Sequence, residues 1–144
     1  MEASSFQLRF CDTFAPRVSV LLNLAPDHLD WHGSFEAYAA AKARSFRFQG
    51  PDDVLVMNAD DPVVARLALD APGRRVACTT APGADEGFRI ADDVLVTADG
   101  ERIAAVEDLP MRAPHDLANA LAASAAALEL GATLDGVQIG RAHV

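Results

Sequence analysis

Asp27, His28, Asp30 and His32, four residues able to bind a metal or move a proton, fall within one short stretch directly after an apolar run at residues 18–24. His28 and His32, four positions apart, would suit zinc if both lay on one helix face, with Asp27 or Asp30 beside them, and such a set would serve a metal-dependent phosphohydrolase. Further on, Phe35, Tyr38, Lys42 and Phe46 recur at spacings of three or four, which puts the amine of Lys42 on the stripe expected to face the core. Its neighbours Ala39, Ala40, Ala41 and Ala43 bring no carboxylate. The amine therefore snorkels to water, pairs with a distant acid, or loses its proton and becomes reactive. A neutral amine can add carbon dioxide to give a carbamate, an anion able to hold a metal; a solvated helix lysine is the plain alternative.

These residues need elements to hold them. The run at 18–24, rich in Val and Leu, predicts a strand covered on both faces, as in a parallel sheet. Ligands bind beyond the carboxyl ends of such strands, where the acids and imidazoles fall. Gly33-Ser34 then opens a helix over residues 35–49, with Ser34 as N-cap and Gly50-Pro51 as the stop. A helix starting after both histidines weakens the zinc geometry. At the front of the chain, the alternation of Phe6, Leu8 and Phe10 predicts a strand over residues 2–10 with Glu2 near one end.

Downstream, residues 54–58 form a second buried strand. Asp60 or Asp61 caps a helix over 63–69, a more ordinary role for two acids before Pro62 than a metal site. A third strand at 74–79 completes strand and helix units that imply a parallel sheet. Residues 88–90, 94–97 and 102–106 are short strands separated by turns, a small antiparallel meander. An alanine-rich helix over 116–130 stops at Gly131, and residues 133–137 begin another.

At 144 residues the chain makes at most one domain, and 51% hydrophobic content is enough for a core. A net charge of −9 with no basic patch argues against a nucleic-acid or anionic membrane partner, yet leaves nucleotide phosphates open if magnesium supplies positive charge. Cys11 and Cys78 have no metal or redox spacing and read as reduced thiols. With no apolar stretch fit for a signal peptide or a spanning helix, a cytoplasmic location is expected.

Asn23-Leu-Ala-Pro-Asp-His-Leu-Asp-Trp-His-Gly-Ser34, followed by Tyr38-Ala-Ala-Ala-Lys42, closely resembles the middle domain of the Mur ligases, the ATP-dependent amino-acid-adding enzymes of peptidoglycan synthesis. Glu2-Ala-Ser-Ser-Phe-Gln-Leu8 is similar to the motif of the branch that adds D-glutamate to UDP-N-acetylmuramoyl-L-alanine. His115-Asp-Leu-Ala-Asn119-Ala-Leu-Ala-Ala resembles the motif in which two asparagines meet the adenine of ATP, with Asp116 standing where an asparagine is usual. An ionised carboxylate accepts from an exocyclic amine but cannot donate to a ring nitrogen, so Asn119 is the firmer contact, and Asp116 reads equally as an acid in a helix's first turn.

The resemblance implies an α/β fold, a partial doubly wound, mostly parallel sheet flanked by helices with the antiparallel meander added. It implies ATP and magnesium as cofactors, with Glu2 and His28 as metal ligands and Lys42, as a carbamate, fixing the ion; His28 and Lys42 are then the catalytic residues. His115, Asp116 and Asn119 are the cofactor-binding set. Asp27 orients the site, while Asp30, Trp31 and His32 shape the elbow. The reaction implied proceeds through an acyl phosphate captured by D-glutamate, in an enzyme monomeric at full length. The family's glycine-rich phosphate loop, with its strand and helix, is absent from these residues. Residues 1–137 are accordingly expected to be part of the central domain, inactive alone. A plain α/β nucleotide-binding module is the non-catalytic alternative. Residues 138–144 resemble a translated sequencing adapter and are expected to be a non-native tail, His143 included.

Overall fold

The computed structural model describes residues 2–139. Its elements run α1 (Ser5–Leu8), β1 (Val18–Leu21), α2 (Leu29–His32), α3 (Phe35–Ala43), β2 (Val54–Asn58), α4 (Pro62–Leu67), β3 (Arg74–Cys78), β4 (Arg89–Ala91), β5 (Val94–Val96), β6 (Arg102–Ala105), α5 (Pro114–Glu129) and α6 (Leu134–Ile139). Two sheets of three strands result, ordered β1-β2-β3 and β4-β5-β6. The first is parallel, with Val18 opposite Val54 and Val54 opposite Arg74; the second is antiparallel. This is the expected α/β architecture with its meander.

Successive side chains of a strand point to opposite faces, and both faces of the central β2 are filled. Val54 and Val56 pack with Leu121, Ala122 and Ala125 of α5 and with Ile103 of the meander. Leu55 and Met57 pack on the other face with Tyr38 and Ala39 of α3, Phe46, and Val64 of α4. The strand at 18–24 is shorter than expected and is not covered on both faces: Ser19 is buried but Val20 is 41% exposed. β1 is the sheet's edge, and a groove of ≈ 700 Å³ lined by Val18, Val20, Leu22, Phe14, Ala126 and Leu130 runs along it.

Three local expectations are corrected. Residues 2–10 do not form a strand. Ser4 and Gln7 make a capping box, the Ser4 hydroxyl accepting from the Gln7 amide and the Gln7 side chain from the Ser4 amide, which nucleates α1 instead. The helix after Ser34 ends at Ala43, where Ser45 donates to Lys42 and Phe46 to Ala43 in tighter turns that swing Phe46 into the core. At the other end, α6 continues to Ile139, and Gln138 donates its amide to the Arg102 carbonyl at 2.7 Å, so the helix passes beyond the expected limit at 137. Residues 140–144, with His143, lie outside the described residues.

Two adjacent acids tie the carboxyl ends of the parallel strands together. Of the two candidate caps, Asp61 is the one used: its Oδ1 accepts from Val63 and Val64, while its Oδ2 accepts from the Leu24 amide at the exit of β1. Asp60 accepts from the Thr79 hydroxyl and from the Thr80 amide and hydroxyl beyond β3. Partial burial works against its charge, but these three donors prevail and hold its carboxyl below the ordinary 3.8. Asp60→Ala is expected to cost about 1 kcal/mol, limited by solvent screening at this exposed position. That stabilisation is present above the ordinary carboxylate value and is lost as pH falls through the lowered folded value. Urea unfolding checks it: the gap between the two proteins should be open at about pH 7 and should narrow as the pH is taken below the ordinary carboxylate range.

Candidate active site

A cleft of ≈ 330 Å³ lies against the elbow that follows β1, and Glu2, Asp27, His28, Tyr38 and Lys42 all line it. Each wall has a local cause. Glu2 stands just ahead of the capped turn of α1, whose Ser5 and Phe6 also face the cleft. Lys42 comes from the last turn of α3, a helix started by the Ser34 hydroxyl accepting from the Ala37 amide, as its sequence predicts. His28 sits at the start of α2 in the left-handed region, φ 52, which few non-glycine residues occupy. The Asp27 carboxylate holds it there, accepting the His28 amide at 2.8 Å while its second oxygen lies 3.2 Å from His28 Nε2. Asp27 thus contacts both the backbone and the ring of His28.

The helical turn α2 was not expected. It begins after His28 and ends with His32, an extra turn between the two histidines ahead of α3, which starts after both as expected. The imidazoles diverge. His28 is about half exposed beside the cleft, whereas His32 is buried at 7% exposure, its Nε2 3.0 Å from Ser5 Oγ and its ring against Trp31, Tyr38 and Phe6. Burial, then the Arg9 guanidinium and His28, push the His32 imidazole below its ordinary value, so it stays neutral near pH 7. A buried ring engaged with Ser5 is a poor partner for a zinc shared with His28.

Lys42 is half-buried and makes no ion pair with any described residue; it opens into the cleft beside Tyr38, neither paired with a distant acid nor lost in the core. Tyr38, which its helical spacing places on the core stripe, also lines the cleft one turn before Lys42. Burial, then Asp27, raise its phenol above the ordinary value, so it remains a neutral donor. Cys78 is buried and its thiol is pushed up to about 12 by burial and by Asp60, which leaves it inert.

His115, Asp116 and Asn119 do not line this cleft. They occupy the first turns of α5, where His115 and Asn119 are exposed. Asp116 Oδ2 accepts the Ala113 amide at 3.0 Å and its Oδ1 lies 3.3 Å from His115 Nε2, so this carboxylate serves the helix start. Among the described residues no group of three His, Cys, Asp or Glu side chains is placed to hold a metal ion. The Glu2 and Asp27 carboxylates in the cleft are nevertheless the hard oxygen donors that magnesium prefers, and water and phosphate oxygens ordinarily complete its shell.

Comparison with known proteins identifies the family and the fold. The Mur ligase middle domain matches residues 1–127. UDP-N-acetylmuramoylalanine–D-glutamate ligase of Frankia casuarinae is 47% identical over 131 residues, which are 88% of this chain and 27% of that protein. Its counterpart from Geobacillus kaustophilus is 40% identical over 137 residues, 95% of this chain and 30% of that protein. The chain therefore spans less than a third of the length of these relatives. Among solved structures, a UDP-N-acetylmuramoyl-L-alanyl-D-glutamate–2,6-diaminopimelate ligase superposes with a TM-score of 0.71 at 28% identity, over 99% of this chain and 31% of that one. The UDP-N-acetylmuramate:L-alanyl-gamma-D-glutamyl-meso-diaminopimelate ligase of Neisseria meningitides shares the fold, with a TM-score of 0.70 at 19% identity over 96% of this chain and 41% of that one. The chain belongs to the Mur ligase family, with residues 1–127 matching its middle domain.

Proposed function

We propose that these residues are the central part of an ATP-dependent ligase that joins D-glutamate to UDP-N-acetylmuramoyl-L-alanine in peptidoglycan synthesis, acting in the cytoplasm and as a monomer at full length. The observation that carries this reading is that Glu2, His28 and Lys42 open into one cleft, in a chain 47% identical to a D-glutamate ligase. Glu2 and His28 would hold magnesium, with Asp27 fixing the imidazole. Lys42, after adding carbon dioxide and releasing a proton, would present a carbamate to the same ion. Bound magnesium would supply positive charge between the phosphates of ATP and the substrate carboxylate.

Tyr38, kept neutral, can donate to an anionic oxygen in the cleft. At α5 the exposed Asn119 would read the adenine edge; Asp116, engaged with Ala113, leaves the base to Asn119 and to the exposed His115. Among the described residues no helix is long and apolar enough to cross a membrane. The test is phosphate release by the full-length protein with ATP, magnesium, UDP-N-acetylmuramoyl-L-alanine and D-glutamate, each omitted in turn. Turnover is expected only with all four and none from the 144 residues alone. Full-length turnover with another amino acid in place of D-glutamate, or ligation by the isolated chain, would overturn the reading.

A further inference from the structure

His32 lies behind the cleft rather than in it, yet it contacts residues of α1 and α3 as well as its own turn. Its Nε2 is 3.0 Å from Ser5 Oγ on α1, and its ring lies 5.7 Å from that of Phe6, 4.7 Å from Trp31 on its own turn and 5.4 Å from Tyr38 on α3. Ser5, Phe6 and Tyr38 line the cleft together with Glu2, His28 and Lys42, and Phe6 in turn packs 4.8 Å from the His28 ring. Ser5 and His32 are 2% and 7% exposed, so water does not mediate or compete at this contact.

The protonation pattern is fixed by what the ring lacks. His32 Nδ1 is buried and makes no hydrogen bond among the described residues. A buried N–H without a partner costs more than an unused acceptor lone pair, so the proton sits on Nε2 and is donated to Ser5 Oγ. Ser5 keeps its own hydroxyl proton for another acceptor.

We propose that His32 is a positioning residue for this cleft: through Ser5 and Phe6 it holds the limb carrying Glu2 against the elbow carrying His28, and through Tyr38 it sets both against the helix carrying Lys42. The proposal rests on the reading of that cleft as a magnesium site. Partners that orient a metal's ligands ordinarily change affinity by about 10-fold to 100-fold when removed, without touching the ion.

The test uses the full-length ligase with His32→Phe, Ser5→Ala and His32→Gln. Two quantities are read by nuclear magnetic resonance: the through-space cross-peak between the Phe6 and His28 rings, and magnesium affinity from the His28 ring signal. The methyl signals of Leu55, Val56 and Val64 report the core. His32→Phe and Ser5→Ala should abolish the cross-peak and weaken magnesium about 10-fold while the methyl signals stay in place. His32→Gln, whose amide can donate to Ser5 as Nε2–H does, should restore both. An intact cross-peak in His32→Phe and Ser5→Ala overturns the proposal, as does collapse of the methyl signals in both, or a Gln variant no better than Phe. If the unaltered chain takes up no magnesium, the metal reading falls by itself, and the cross-peak series still decides the role of His32.

Discussion

Lys42→Ala in the full-length ligase is expected to lower turnover by at least about 100-fold, the usual cost of removing one preorganised charge from a site of this kind. Acetate or bicarbonate should restore part of it by placing a small anion where the carbamate stood. The physical case begins with what surrounds the amine. Lys42 is half-buried, its neighbours on α3 are alanines, and it has no ion pair among the described residues, yet it opens into a cleft with Glu2, Asp27 and His28. A lysine kept only for solubility gains nothing from facing such a cleft. Lys42→Arg separates the alternatives: arginine keeps the positive charge but cannot take up carbon dioxide, so it should fail as badly as alanine and be rescued less, its bulk filling the space. Activity retained in the arginine variant would make Lys42 a simple cation and remove the carbamate from the mechanism.

How much of this was legible differs from element to element. β2 could be read because a short run of Val and Leu between turn residues has few other destinies, and α3 because Ser34 is a strong cap with an apolar stripe behind it. The turn at Asp92-Asp93, with φ 49 and 59, is the mirror-type hairpin that joins two short strands. The start of the chain went the other way. Phe6, Leu8 and Phe10 alternate as a strand would, but Leu8 is 2% exposed and Phe10 74%, so they do not share a face. The Ser4-x-x-Gln7 pair was the competing signal, and over so few residues it outweighs an alternation of three. α2 has no comparable local signature, since it is one turn long and its entry depends on the left-handed backbone of His28. The convergence of Glu2, His28 and Lys42 is likewise absent from any local pattern, because it is made by tertiary contacts between α1, the elbow and α3. Only the family resemblance linked those residues beforehand. The burial of His32 was illegible for the same reason: its partner Ser5 lies 27 positions away.

The helix that presents Lys42 is anchored by a residue that has no chemistry. Phe46 follows Lys42 by one turn, is 2% exposed, and packs in the cluster of Leu21, Tyr38, Leu55, Met57 and Val64 between α3 and the sheet. Phe46→Ala is expected to destabilise the domain by about 3–5 kcal/mol, the lost transfer energy of the ring plus the cavity left behind. Against a total of about 5–15 kcal/mol for a typical domain, that loss leaves little or no folded margin. The neighbouring Phe48 is 37% exposed and supplies the control, because an exposed ring leaves no sealed cavity; Phe48→Ala should cost about 1 kcal/mol or less. Urea unfolding followed by circular dichroism compares the two, with an unchanged slope showing that the same surface is exposed in each. If the variants lose equal stability, Phe46 does not anchor the end of α3. The position of Lys42 would then depend on the contacts of α1 and α2 against that helix, and His32→Phe should be the more damaging change.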